Sequence, residues 1–519
     1  MKKIKLTVLV CLIVALVLSL GMLFASCGDT PTPTPPGEET EKPTPKPKYT
    51  YEAHIADELP KVYIDTDDGK NDFAMVENPD NYIKEWEYQP CSVSVSGGEG
   101  DENLDKARGS VKVRGNYTTV YDKKPLRIKF DSKQKMLGLN DGAAAKSWVL
   151  LAEYKDMSML RNSMAFYLGN QILGADGLYC SDFRYVEVYL NRQYWGLYLL
   201  CEQQQVNSHR VNIAEPDKNY KGTDIGYFVE YDGYYAEEAE LERFTINHRA
   251  PVDIEGVRVN AGNNGYTIKS DVYASQQRDY IAFYLQSVYN ICYEATRYDP
   301  DDSYAKNYKY MQFDPTYTKL LNVTYDSATP QELVEKVLDV NSLVDMYILQ
   351  EICCDYDIGW SSFFMSVDMS ASGDKKLYFQ APWDFDSAFG LRDRCEDGLG
   401  LYAAKSSNPW LLLLIREDWF MHKVSAKWEE LINEKVGERA LQLLDTLSAK
   451  TQSYYTKNYD KWGWDRVYGV VGGEFSGTVH SQAWKSQSDA AAHLKKWLKA
   501  RLKYFDDFFG PSRELKIEE

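Results

Sequence analysis

Apolar and β-branched residues cluster or alternate with polar ones through the first half of the chain. "KVYIDT" (61–66), "CSVSV" (91–95), "GSVKVRGN" (109–116) and "PLRIKF" (125–130) lie between Gly, Pro, Asn and Asp punctuation, which predicts strands. "YVEVYLNRQYWGLYLLCE" (185–202) predicts a hairpin that turns at Asn191 and Arg192. Within "PLRIKF", Leu126, Ile128 and Phe130 share one face and leave Arg127 and Lys129 on the other. "SGGEG" (96–100) lacks the third glycine of a dinucleotide loop and no helix follows it, so it reads as a hairpin turn. Among these strands, residues 156–173 carry Met157, Leu160, Met164, Tyr167, Leu168 and Ile172 at helical spacing. The second half turns helical, over 270–295, 340–355, around 410–455, and 487–509 before Gly510 and Pro511. Strands first and helices later predict an α+β, two-lobed arrangement.

The N-terminus changes the picture of where the chain works. A basic start, Met1 to Lys5, leads into an apolar run, Leu6 to Ala25, that ends in "LFASC" at Cys27. This predicts an export signal over 1–27. Its ending resembles the bacterial lipoprotein box, in which the cysteine is lipidated and becomes the new N-terminus. An uncleaved anchor is the other reading, and either one tethers the mature chain to the outer face of the cytoplasmic membrane. Residues 28–48, rich in Pro and Thr, cannot bury a core and form a spacer. The folded part is expected to start near Tyr49, with a main domain over 49–400 and a helical region over 401–519 that completes the second lobe.

Composition mostly excludes. A formal net charge of −18 repels nucleic acid, which is therefore not an expected partner. The 14% aromatic content points to filled cores more than to sugar platforms. Beyond Cys11 and Cys27, the cysteines form no CxxC pair and are odd in number, which fits neither a disulfide framework nor a structural zinc site. The histidines show no HExxH spacing.

The candidate chemistry lies in acids around one hairpin. The helix over 340–355 runs into "DYDIG", then "SSFFMSVD" (361–368), a polar turn, "LYFQAP" (377–382) and "WDFD" (383–386). An antiparallel pairing of the two apolar runs brings Asp355, Asp357, Asp384 and Asp386 to one mouth. Carboxylates gathered there repel one another unless a cation or a proton intervenes. One or two carboxylates with substrate oxygens suit Mg²⁺ or Mn²⁺.

Four stretches in this order resemble the CotH kinase family, spore-coat-protein-H-like proteins with an atypical protein-kinase-like fold. They are "VRGNYTTVYDKKPLRIKF" (113–130), "KSWVLLAEYKDMSMLRN" (146–162), "VYLNRQYWGLYLLCEQ" (188–203) and "APWDFDSAFG" (381–390). The resemblance implies transfer of phosphate from ATP to Ser or Thr of an extracytoplasmic protein of the spore coat or cell surface. It further implies Asp384 as metal ligand with Asp386 in support, and Asp357 as the residue that orients or deprotonates the acceptor, with Asp355 close enough to exchange roles. Lys129 would contact phosphate, and Arg114 and Arg161 would organise the site. Glu202 would face the nucleotide or cap a turn. One departure is visible: Ser361 and Ser362 stand where relatives often place a metal-binding Asn. Two other readings therefore stay open, a non-catalytic surface scaffold on the same fold, and a carbohydrate-active protein using paired carboxylates.

Overall fold

The strand pattern of the first half closes into a ring. The computed structural model describes residues 48–70, 87–249, 252–254, 257–259, 262–297, 307–391, 397–474 and 484–510. The export signal with Cys27, the spacer up to residue 47, and Cys395 lie outside them. Seven strands, β1 (Lys61–Thr66), β2 (Gln89–Ser96), β3 (Leu104–Val113), β4 (Leu126–Gln134), β5 (Ala145–Leu151), β6 (Phe183–Leu190) and β7 (Gln193–Glu202), form a closed barrel ordered β1-β2-β3-β4-β5-β7-β6. The parallel pair of β1 with β6 shuts the ring and removes its edges. Alternation does the rest. Val62, Ile64, Val111, Val113, Leu126, Ile128 and Phe130 fill the interior, which leaves Lys129 exposed outside. The β6–β7 hairpin turns at Asn191 and Arg192 with φ of 44° and 68°, the left-handed pair that suits the strand twist.

Two expectations are corrected. The helix foreseen over 156–173 starts later, as α1 (Arg161–Ile172). Asp156 accounts for the difference: its carboxylate accepts from the backbone N–H of Ser158, Leu160 and Arg161 at 2.9, 2.9 and 2.8 Å, which holds the preceding residues in a turn. After β7 the chain also holds strands beyond the one foreseen hairpin. It holds β8 (Gly226–Asp232), β9 (Arg243–Phe244), the small pair β10 (Val252–Ile254) and β11 (Val257–Val259), β12 (Gly265–Ile268), the pair β13 (Lys309–Phe313) and β14 (Leu320–Thr324), then β15 (Phe363–Asp368) and β16 (Tyr378–Phe379). Five of these make an antiparallel sheet ordered β16-β15-β8-β12-β9. Its central strand β8, "GYFVEYD", is buried at every position and so has no polar alternation to announce it.

Helices α2 (Ser275–Ala295), α3 (Pro330–Val337), α4 (Val340–Cys353), α5 (Asp418–Asn433), α6 (Val436–Lys450), α7 (Gln452–Trp462), α8 (Trp464–Glu474) and α9 (Gln487–Phe509) complete a mixed α+β fold. Helix α1 is buried on all sides. Its apolar residues share one core with Val149, Leu197 and Leu199 from the outer barrel wall and with Phe363 and Phe379 of the sheet. The described cysteines, at 91, 180, 201, 292, 353 and 354, are buried. Among the described residues no helix is long and apolar enough to cross a membrane.

Because Ile128 is fully buried within the barrel, Ile128→Ala is expected to cost about 2–5 kcal/mol. Urea unfolding should show a lower midpoint at an unchanged slope.

Candidate functional site

Chain segments leaving the barrel and the sheet converge on a cavity of about 610 Å³. The barrel contributes Arg114 after β3, residues 151–155 from the end of β5 onward, and Gln203 and Gln204 after β7. The sheet contributes Glu230 and Asp232 from β8, Lys269 after β12, Ser361, Ser362 and Phe364 around the start of β15, and Asp384 and Asp386 after β16. Pairing of Met365 with Phe379 and Ser366 with Tyr378 makes the foreseen hairpin. The turn before it and the turn after it both reach the cavity.

Of the four acids read from the sequence, Asp357, Asp384 and Asp386 line the cavity together. Asp355 is fully buried and is not among the lining residues. One of its oxygens accepts from the N–H of Asp357 at 3.2 Å, and so starts the short turn (Tyr356–Gly359) that carries Asp357. Its other oxygen has no partner. Burial, with Asp357 and Asp384 adding repulsion, pushes the Asp355 carboxyl well above the usual range.

The "WDFD" turn is fastened mainly by α1. Asn162 accepts from the N–H of Phe385 at 2.9 Å, and Arg161 donates from Nε to the carbonyl of Ala388 at 2.9 Å. Phe166 stacks on Trp383 with ring centres 5.4 Å apart. Phe389 adds a bond to the carbonyl of Cys353 at 2.6 Å, at the end of α4. Ser362, Ala381, Asp384 and Phe389 all have left-handed backbones, with φ of 63°, 60°, 68° and 55°. Such residues persist where surrounding contacts over-determine them.

Electrostatics follow from the crowding. Burial, then Asp386 and Asp357, push Asp384 up to about 7, with Lys155 and Arg114 opposing. Burial also raises Asp386, opposed first by Lys155. The Lys155 ammonium lies 3.3 Å from Asp386 and 3.9 Å from Asp357, with its side chain 7% exposed. Lys155 is not singled out by any pattern in the sequence. It follows β5 in "AEYKD", where nothing distinguishes it from a solvated lysine. Glu153, two positions before, also lines the cavity. It has φ of 54°, accepts from Asn162 at 3.0 Å, and has one unpartnered oxygen.

The remaining residues named from the sequence separate. Arg114 lines the cavity and lies over the Trp383 ring at 5.4 Å. Lys129 is not brought to the cavity: the strand alternation that buries Ile128 turns it outward, with its ammonium 5.9 Å from the Tyr88 ring. Arg161 is fully buried and pairs with Asp156, so it reaches the acid turn only through the Ala388 carbonyl. Glu202 is also away from the cavity. It accepts from Arg210 at 3.0 Å, Asn140 at 2.7 Å and the Asp182 N–H at 3.2 Å. Ser361 and Ser362 line the cavity beside Asp357, and the Ser362 N–H donates to Glu230 at 2.9 Å.

Among the described residues, no group of three or more His, Cys, Asp or Glu is arranged to hold a metal ion by itself. Mg²⁺, however, is commonly bound by one or two carboxylates plus phosphate oxygens, and Asp384 and Asp386 fit that donor set. A family model described as CotH kinase protein matches residues 111–505, and no curated protein matches the chain.

Glu153 generates a pH prediction. Burial, then Asp156 and Asp386, push its carboxyl up to about 8, whereas the unfolded chain releases that proton near about 4.3. Between these values the folded protein keeps a proton the unfolded chain has lost, so rising pH lowers stability by at most about 1.4 kcal/mol per unit. Glu153→Gln should flatten that fall between about pH 5 and 8 in urea titrations.

Proposed function

Because the chain belongs to the CotH kinase family, we propose that it transfers the γ-phosphate of ATP to a Ser or Thr hydroxyl of an extracytoplasmic protein, tethered to the cell envelope through Cys27. The observation that carries this reading is the meeting of Asp357, Asp384 and Asp386 in one cavity with Lys155 and Arg114. The barrel and the five-stranded sheet with its helices would serve as two lobes of an atypical kinase-like frame, with the cleft between them.

In this reading Asp384, supported by Asp386, would hold Mg²⁺ or Mn²⁺, which would supply charge neutralisation to the phosphates. Asp357, 27% exposed and so within reach of an incoming chain, accepts the proton of the acceptor hydroxyl. The acceptor oxygen bonds to the γ-phosphorus as the bond from that phosphorus to the β–γ bridging oxygen breaks, and ADP departs with the electron pair. Arg114 adds positive charge at the cavity wall, where burial lowers its pKa and Asp384 opposes that shift. The protein's contribution is positioning and electrostatics. Asp355 and Arg161 act as positioning residues, since Asp355 reaches the site through the backbone of its own turn at Asp357 and Arg161 through that of Ala388. A second reading, a tethered binding protein on the same frame, is favoured by Ser361 and Ser362 in place of an amide ligand, because a hydroxyl holds Mg²⁺ less well.

The full chain in detergent with γ-labelled ATP and Mg²⁺ should label itself or a Ser-rich protein. Asp384→Ala should lower labelling by on the order of 100-fold or more and abolish metal-dependent nucleotide binding. Asp357→Asn should lose labelling by a similar factor and keep binding. Absence of both labelling and metal-dependent binding in the wild type selects the binding-protein reading. For the tether, Cys27→Ser should move the chain out of the lipid-labelled membrane fraction.

A further inference from the structure

The cavity holds its own cation. Resting on the phosphoryl-transfer reading, we propose that the Lys155 ammonium is a resident replacement for a second divalent ion, so that the site takes one Mg²⁺ or Mn²⁺ with each nucleotide. Kinase sites that use two ions hold one on an Asp after the hairpin and the other with an Asn beyond the catalytic Asp. Here Ser361 and Ser362 occupy that region and line the cavity, leaving no amide oxygen there for a second ion.

The ammonium stands where such an ion would bridge. It lies 3.3 Å from an oxygen of Asp386 and 3.9 Å from one of Asp357, and these acids belong to the two turns flanking the hairpin. A divalent ion ligated by both acids would need oxygens at about 2.0–2.1 Å. It would thus have to expel a lysine that is 7% exposed. Expulsion is opposed because a buried lysine is stable only while paired, and the displaced ammonium would lose both acids at once.

The backbone around Lys155 is fixed. Immediately after it, Asp156 binds the N–H groups of Ser158, Leu160 and Arg161 and pairs with Arg161, which holds Ala388. Two residues before it, Glu153 is fastened to Asn162, which also holds Phe385 between the two acids of the turn. The network that fixes the "WDFD" turn thus also fixes the lysine facing it. The lysine supplies a charge that neither diffuses away nor depends on the divalent-ion concentration outside the cell. Asp386 turns one oxygen to Lys155, and its other would be available to an ion held with Asp384.

The test counts ions. The full chain in detergent, saturated with a non-hydrolysable ATP analogue, is titrated with Mn²⁺ while free Mn²⁺ is followed by electron paramagnetic resonance. The wild type should bind about one nucleotide-dependent ion per chain, Lys155→Arg the same number, and Lys155→Met and Lys155→Ala about two. Two ions in the wild type would overturn the inference and leave the phosphoryl-transfer reading standing, as would one ion in all variants with only the nucleotide affinity reduced. That second result would make Lys155 a plain phosphate contact. No nucleotide-dependent ion in the wild type would overturn both. If the methionine and alanine variants do not fold, Lys155→Gln, polar but uncharged, is counted in their place, and a count of one ion there overturns the inference.

Discussion

Three carboxylates in a buried cleft repel one another, and everything around the site answers to that repulsion. Asp357, Asp384 and Asp386 line one cavity, and their crowding and burial raise Asp384 and Asp386 above the ordinary carboxylate range. Such a cluster is stabilised by a proton or by positive charge within it, and by a chain held too firmly to spread. Lys155 and Arg114 meet the first condition, while α1, the end of α4 and the aromatic stack on Trp383 meet the second.

The hold on the acid turn comes from far away in sequence. Arg161 and Asn162, at the start of α1, reach Ala388 and Phe385 across more than 200 residues. Breaking the fully buried Arg161–Asp156 pair would leave an uncompensated charge in the core, a loss of about 3–5 kcal/mol. The C-terminal helix takes part as well. Arg501 of α9 bonds Glu351 of α4 at 2.7 Å, Glu351 accepts from the N–H groups of Tyr402 and Ala403, and the Tyr402 hydroxyl donates to the carbonyl of Asp355. The region after residue 400 therefore supports the turn that carries Asp357.

Much of the site's scaffold was legible. Alternation in "PLRIKF" put Ile128 and Lys129 on opposite faces, yet assigning Lys129 to phosphate needed a cleft on its face, and pattern alone cannot say what a strand's polar face meets. The hairpin between "SSFFMSVD" and "LYFQAP" followed from two apolar runs around a polar turn. Strand β8 was missed because a strand buried on both faces has no alternation. Helix α1 was read as starting too early because Met157 and Leu160 fit the helical period, while Asp156 offered the backbone other partners.

By itself the sequence determined the family, the mixed α+β composition and the gathering of acids around one hairpin. These depend on local order: residue spacing, turn chemistry and several stretches in a fixed succession. The tertiary structure alone decided that the first strands close into a barrel, that Asp355 lies behind Asp357 and outside the cavity lining, that Glu202 is spent on Arg210, and that Lys155 is the lysine among the acids. Each of those outcomes depends on which distant segments share a small buried volume. There the cost of an unpaired charge selects the partner, and no spacing along the chain records that cost.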